Sequence, residues 1–269
     1  MSIRVEALHR YPVKGLSPEP LARATLTAGR YFPGDRVFAI ENGPSGFDPA
    51  APRHLPKIAY LMLMRDEALA RLETRYEDAA DEIVIRAAGV ERLRAKAGSE
   101  DGKRALADFL ASYLEREAPG ALRGEPALLA APEGYRFTDS ARGYVSIVNL
   151  ESVAALEDMV GAPVDPLRFR ANIHVTGLPA WGEFDLVGRE LRAPSGMTLR
   201  VTKRIVRCAA TNVDPGTGLR DMAIPDTLMR RMGHMDCGVY AEIVAGGALS
   251  PGIRLIVEND VGARDLPFG

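Results

Sequence analysis

The sequence predicts a β-rich α+β fold, with a barrel-like core and peripheral helices. Two observations carry this. Short apolar or alternating runs recur along all 269 residues, each closed by Gly, Pro or Asn-Gly punctuation. Helical patterns interrupt them without the regular strand–helix–strand alternation of a parallel sheet. No internal repeat or low-complexity segment is present.

The elements follow in order. "IRVEALHRYPV" (3–13) opens with alternating character, and "ARATLTAG" (22–29) and "DRVFAIEN" (35–42) are strand-like runs closed by turn residues. "KIAYLMLM" (57–64) reads as a buried strand, although so short a run does not exclude helix. "RDEALARLETRY" (65–76) has amphipathic helical spacing, and "DEIVIRA" and "VERLRAK" pair across Ala88-Gly89. Residues 99–117 form the clearest helix. Ser99 starts it, Leu106, Phe109, Leu110, Tyr113 and Leu114 make one stripe, and Pro119-Gly120 stops it. "EAPGALRGEPA" is then the expected boundary between a domain at 1–120 and one at 121–269.

In the second half, "RGYVSIVN" is a strand running into the helix "LESVAALEDMVG", closed by Gly161. "RFRANIHVTG" (168–177) reads as a strand with Arg168 and Arg170 in alternation. Residues 189–208 read as a hairpin around Pro194-Ser195-Gly196, 225–233 as a short helix, and 236–247 and 253–260 as late strands, with "GGALSPG" the turn between them.

Lys and Arg number 34 against 36 Asp and Glu, a formal net charge of -2, which lacks the basic excess of a nucleic-acid binder. The first residues carry charge every few positions and no apolar block, and the longest apolar run, "IAYLMLM", is too short to span a bilayer. A soluble, cytoplasmic protein with no membrane span is the expectation. Two cysteines do not make a disulfide framework.

One of them, Cys208, ends a strand-like run and faces the polar turn "AATNVDPGTG". A thiolate is a nucleophile and a soft metal ligand, and nearby positive charge favours it over the thiol. Regular alternation puts Arg204 on the face of Cys208 and Arg207 on the other. Composition alone leaves two readings open, an inert packed thiol or a reactive one. Lys14, Arg36, Arg142, Arg170 and Asn172 stand beside turn residues and suit an anion, but spacing does not say whether they converge. His9, His54, His174 and His234 show no metal spacing; His174, Trp181 and Cys237 read as packing residues.

Four stretches change the weight of Cys208: "YPVKG", "GDRVFAI", "RFRANIHVTGLPAW" followed by Glu183 and Asp185, and "VRCAATNVDPGTG". In order and spacing they resemble the MOSC-domain family. The resemblance is closest to its two-part members with an N-terminal MOSC-type β-barrel domain, such as the mitochondrial amidoxime-reducing component and its bacterial relatives. The resemblance implies a molybdenum-cofactor (Mo-molybdopterin) oxidoreductase acting on a small N-hydroxylated or N-oxide-type substrate. It implies Cys208 as metal ligand and catalytic residue, and Lys14, Gly15, Arg36, Arg170, Asn172, Thr211 and Tyr240 as cofactor-binding positions, with Arg142 and Gly143 on a lining loop. The chain departs from the family pattern in places. Gly15 stands where serine often follows the lysine, Val206 where proline often precedes the cysteine, and only Arg53 remains of a T-x-R stretch. No cysteine follows Cys237, so electrons are expected from a separate ferredoxin- or cytochrome-type protein. Two other readings stay open: a sulfur- or cofactor-carrier protein using a persulfide or metal-ligating Cys208, and a β-barrel binding module with an inert thiol.

Overall fold

The structure, a computed structural model, describes residues 2–258. The strands are β1 (Ser2–Arg10), β2 (Glu19–Pro20), β3 (Ala24–Leu26), β4 (Phe38–Asn42), β5 (Leu72–Glu77), β6 (Glu82–Ala87), β7 (Val90–Lys96) and β8 (Pro126–Ala130). They continue with β9 (Tyr144–Asn149), β10 (Ile173–Thr176), β11 (Glu190–Arg192), β12 (Thr198–Val206), β13 (Asp236–Ala245), β14 (Gly247–Leu249) and β15 (Arg254–Glu258). The α-helices are α1 (Glu100–Glu117), α2 (Leu150–Val160) and α3 (Ile224–Met232). No helix among the described residues is long and apolar enough to cross a membrane.

Seven strands close a barrel in the order β10-β9-β13-β12-β11-β15-β1, with β1 pairing back onto β10. Closure leaves no free edge, so every barrel strand has two partners. Alternating positions of β1, β12 and β13 fill its interior, among them Ile3, Val5, Leu199, Val201, Val239 and Ile243. Among the named strands of the described residues, β9–β10 is the parallel pair, bridged by α2, because parallel neighbours need a long crossover. A second core lies outside the barrel. There α1 packs over β7 and β8, and Leu106, Leu110 and Leu114 meet Leu69, Ile83 and Ile85. The Ser99 side chain caps α1 by accepting the Gly102 N–H, and Gly161 closes α2 in the left-handed region.

Strand pairing crosses residue 120 in both directions. The first strand of the chain completes the barrel of the second half, and β8 pairs with β4 of the first half. β8 had no strand expectation, because "PALLA" adjoins the Pro/Gly-rich linker.

Four expectations are corrected. Residues 57–64 are not a strand. A 3-10 turn Lys57–Ala59 leads to a single bridge at Tyr60, and the chain turns at Met62, whose N–H the Asp66 carboxylate accepts at 2.9 Å. Residues 65–76 are not a helix but a 3-10 turn Glu67–Arg71 followed by β5. From Leu72 the buried positions alternate, and the Thr74 N–H donates to Ser17 Oγ, a tertiary partner that no local pattern announces. Residues 168–172 leave the expected strand, with a 3-10 turn Pro166–Phe169 and Arg170 at φ 51° before β10 begins. "GGALSPG", read as a turn, contains β14, which pairs with β3.

β10 carries His174, which is buried with its ring 4.8 Å from that of His9. Burial first, and the His9 charge second, push its pKa from 6.5 down to about 3. The unfolded chain therefore binds the proton more readily. His174 contributes stability in full above pH 6.5, and this is lost as pH falls from there toward 3. Urea titrations across that window should show wild-type stability falling by up to about 1.4 kcal/mol per pH unit from this group, with a shallower slope in His174→Asn. Equal slopes would remove His174 from the acid response.

Candidate functional site

One end of the barrel opens into a cleft of about 1040 Å³, measured to its open mouth. The segment after β1, the turn at Asp35-Arg36, residues 62–64, the loop 138–142, the turn before β10 and the end of β12 all reach it. All but one of the sequence-expected site residues line it: Lys14, Gly15, Arg36, Arg142, Arg170, Asn172, Cys208, Thr211 and Tyr240. Gly143 is the exception; it packs against the Arg30 backbone, whose oxygen would lie 3.2 Å from an added Cβ.

Cys208 is half-buried and starts the 3-10 turn Ala209–Asn212. Thr211 closes that turn, with its N–H and its Oγ1 both donating to the Cys208 carbonyl at 3.0 Å. The Asp-Pro-Gly sequence beyond it is explained by Asp214. Its Oδ1 accepts the Gly216 and Thr217 N–H groups, and its Oδ2 accepts Arg168 Nη2 at 3.1 Å. Arg168 also holds Asp221 through two 2.8 Å bonds, so this arginine is neutralised within the turn. Arg220 ties the same turn to the first half by donating to Ala209 O, Leu63 O and Met64 O.

Alternation predicted that Arg204 shares the Cys208 face. The structure reverses this. β12 shifts register against β13 between Val201 and Lys203 and again between Arg204 and Val206. Arg207 therefore lines the cleft with Cys208, while Arg204 is exposed and lies 4.3 Å from the Phe184 ring centroid.

The charges of the cleft divide into paired and unpaired. Lys14 Nζ donates to Asp139 Oδ1 at 2.6 Å and to Phe137 O at 2.9 Å. Burial alone would raise Asp139, but Lys14 outweighs it, aided by Lys57 and Arg36, and the pKa falls to about 2. Arg36 Nη1 donates to Asp35 Oδ2 at 2.5 Å. Arg170 and Arg207 make no ion pair among the described residues. Arg207 donates to the Cys237 and Phe169 carbonyls, and one terminal nitrogen of each arginine is buried without a partner. Burial first, then Arg36, pushes Arg170 down to about 10, so it stays charged at neutral pH. Buried unpaired cations are costly, and a dianion such as a phosphate is the chemistry that relieves them.

Gly15 fits the same purpose. Its φ is +85°, and an added Cβ would lie 2.8 Å from Leu61 O, so the backbone after Lys14 presents itself without a side chain. Asn172 lines the cleft, but its side chain is committed: Oδ1 accepts Ser146 N–H and Oγ–H, and Nδ2 donates to His9 O. Arg142 stands at the mouth, 3.6 Å from Glu242. Tyr240 stacks on Tyr144 at 5.2 Å, with Lys203 over both rings. Arg207, Asp35, Asp139, Lys57 and Tyr144 are cleft residues that sequence reasoning missed; the adjacency of Arg207 to Cys208 was the one available signal.

No group of three or more His, Cys, Asp or Glu among the described residues can hold a metal ion. Cys208 is the one thiol lining the cleft, where Met62 and Met64 add only neutral thioethers, and any metal here would need its remaining ligands from the molecule it arrives with. Both cysteines are free. Cys237 is fully buried, and burial pushes its thiol up to about 12, so it is inert.

The Lys14–Asp139 pair carries a pH prediction. Asp139 is depressed below its ordinary 3.8, so the pair is intact above that value and is lost as pH falls toward 2. At neutral pH the Asp139 carboxylate competes for Lys14 with any incoming anion. Asp139→Asn is expected to bind inorganic phosphate several-fold more tightly at pH 7, about 0.5–1 kcal/mol for a pair whose carboxylate is exposed while its lysine is buried. Titration calorimetry checks this, and unchanged or weaker binding would contradict it.

Residues 2–118 match the family described as the MOSC N-terminal beta barrel domain, and residues 134–255 match the MOSC domain. Among solved structures the chain is similar to the YUAD protein from Bacillus subtilis. Identity is 14% over 96% of each chain, with a TM-score of 0.45. It is also similar to YiiM from Geobacillus stearothermophilus, at 19% identity over 43% of this chain and 54% of that one, with a TM-score of 0.34. No curated protein matches the chain.

Proposed function

The chain belongs to the MOSC-domain family in its two-part form, with an N-terminal MOSC β-barrel domain, and from that premise we propose that it is a molybdenum-cofactor oxidoreductase. Its substrates on this reading are small N-hydroxylated or N-oxide-type compounds. The family is associated with the molybdenum cofactor in general. The observation that carries the finer reading is the meeting in one cleft of half-buried Cys208 with buried Arg207 and half-buried Arg170, neither arginine paired to a carboxylate among the described residues.

When bound, the cofactor supplies the redox chemistry that removes oxygen from an N–O bond. The conversion takes an electron pair and protons and releases water, and the electrons come from a separate ferredoxin- or cytochrome-type protein. The chain's own residues bind and orient. Cys208 offers its sulfur as a soft ligand. Arg36, Arg170 and Arg207 take a phosphate, with the Gly15 backbone beside it. Tyr144 and Tyr240 form a flat wall on the substrate side.

The assay uses protein made in a host that synthesises the cofactor, a reduced viologen as electron donor, and an aromatic amidoxime or N-oxide as substrate. Turnover by wild type and its loss in Cys208→Ser are expected. Equal rates in both would overturn the reading. The half-buried Cys208 thiol beside cationic groups also supports a sulfur- or cofactor-carrier role. An added sulfur on Cys208 by mass spectrometry, without turnover, would identify that role.

A further inference from the structure

Tyr11 is fully buried under the cleft, and two arginines converge on its ring. The guanidinium carbons of Arg36 and Arg170 each lie 4.4 Å from the ring centroid. The two cations repel, and Arg36 is the second cause, after burial, of the lowered Arg170 pKa. The face of an aromatic ring is negative and attracts a cation within about 6 Å, more strongly in a desolvated site.

The backbone around the ring is built to keep that arrangement. The Tyr11 N–H donates to Asp35 Oδ1 at 2.8 Å, the Arg36 N–H donates to Tyr11 O at 2.8 Å, and Arg36 Nη2 donates to Arg170 O at 3.2 Å. These bonds link Tyr11, Asp35, Arg36 and Arg170 into one unit. Both arginines sit in the left-handed region, at φ 46° for Arg36 and 51° for Arg170. Non-glycine residues seldom adopt it, and such strain persists only where the surroundings enforce it. Among the described residues, two of the five non-glycine residues with positive φ are thus the two arginines at one ring.

We infer that Tyr11 is the positioning residue of the anion site, its ring anchoring both Arg36 and Arg170 at the cleft so that both address one phosphate-type dianion. The inference rests on the anion-binding part of the proposed function, and extends it to a residue outside the cleft lining. The ring face does this, not the hydroxyl, whose oxygen is buried without a partner. Preorganisation of this kind strengthens binding because repulsion between the two cations is offset before the anion arrives.

The test measures inorganic phosphate binding by titration calorimetry on purified wild type, Tyr11→Phe, Tyr11→Leu and Tyr11→Met, each first shown to be folded by circular dichroism. Phe keeps the ring face and is expected to bind within about threefold of wild type, while Leu and Met should bind at least about tenfold more weakly. If Leu does not fold, Met and Phe decide the matter. Wild-type affinity in a folded Leu or Met variant overturns the inference while leaving the anion site standing. A Phe variant as weak as Leu or Met overturns it too, by pointing to the hydroxyl. No phosphate binding by wild type overturns the anion site itself.

Discussion

Cys208→Ser is expected to give a folded protein that has lost its metal. The Cys208 side chain makes no hydrogen bond, ion pair or ring contact among the described residues, and serine is close to it in size. The 3-10 turn is held by Thr211, Arg168 and Arg220 acting on the backbone and on Asp214, not on the sulfur. The unfolding free energy should therefore stay within about 0.5 kcal/mol of wild type. A hydroxyl is a hard, weakly acidic donor, and the other sulfurs lining the cleft, those of Met62 and Met64, are neutral thioethers that do not match a thiolate. Molybdenum retained after gel filtration should fall at least about tenfold, since even changes behind a metal ligand cost that much. A serine variant that keeps its molybdenum would show that the metal does not need this sulfur.

Gly238→Ala should be the most destabilising single change near the site. Gly238 is buried within β13 at φ +76°, and its N–H donates to the buried Glu183 Oε1 at 3.2 Å. An added Cβ would lie 2.5 Å from Ile147 O and 2.9 Å from both Arg207 Nη2 and Val148 Cγ2. The first of these is backbone of the neighbouring barrel strand β9 and cannot yield without opening the β9–β13 ladder. Left-handed strain and overpacking together should cost about 3 kcal/mol or more. Arg207 would also be displaced from beneath the cleft, so phosphate affinity should drop in any fraction that folds. Urea unfolding at neutral pH measures the first effect, and a variant within 1 kcal/mol of wild type, on the ~1 kcal/mol scale of an average substitution, would show that the strand relaxes.

Local chemistry made much of the fold readable. The helices α1 and α2 show their periodicity and their ends, Ser99 and Gly161, and the β6–β7 and β11–β12 hairpins show their turns. The errors lie where tertiary partners decide. The helical spacing of residues 65–76 yields to β5 because Ser17 takes the Thr74 N–H and β6 takes the strand edge. Residues 168–172 leave the strand because Asp165 accepts the Leu167 N–H and Arg170 adopts the left-handed region at the Tyr11 ring.

The site was readable in a different way. Cys208 and its turn stand out in the sequence, but the convergence of Lys14, Arg36 and Arg170 spans most of the chain and came only from the family resemblance. Arg207 was placed on the wrong face because parity arguments assume an unbroken strand, and β12 carries three register shifts before it. Asp35 and Asp139, which neutralise two of the cations, are invisible to spacing because an ion pair between distant segments leaves no local mark.

The most direct measurement is the molybdenum and pterin content of the full chain purified from a host shown to load another molybdenum enzyme. The account predicts both in wild type, in equal amounts, with molybdenum lost in Cys208→Ser. Wild-type protein that binds neither molybdenum nor pterin in such a host would contradict it.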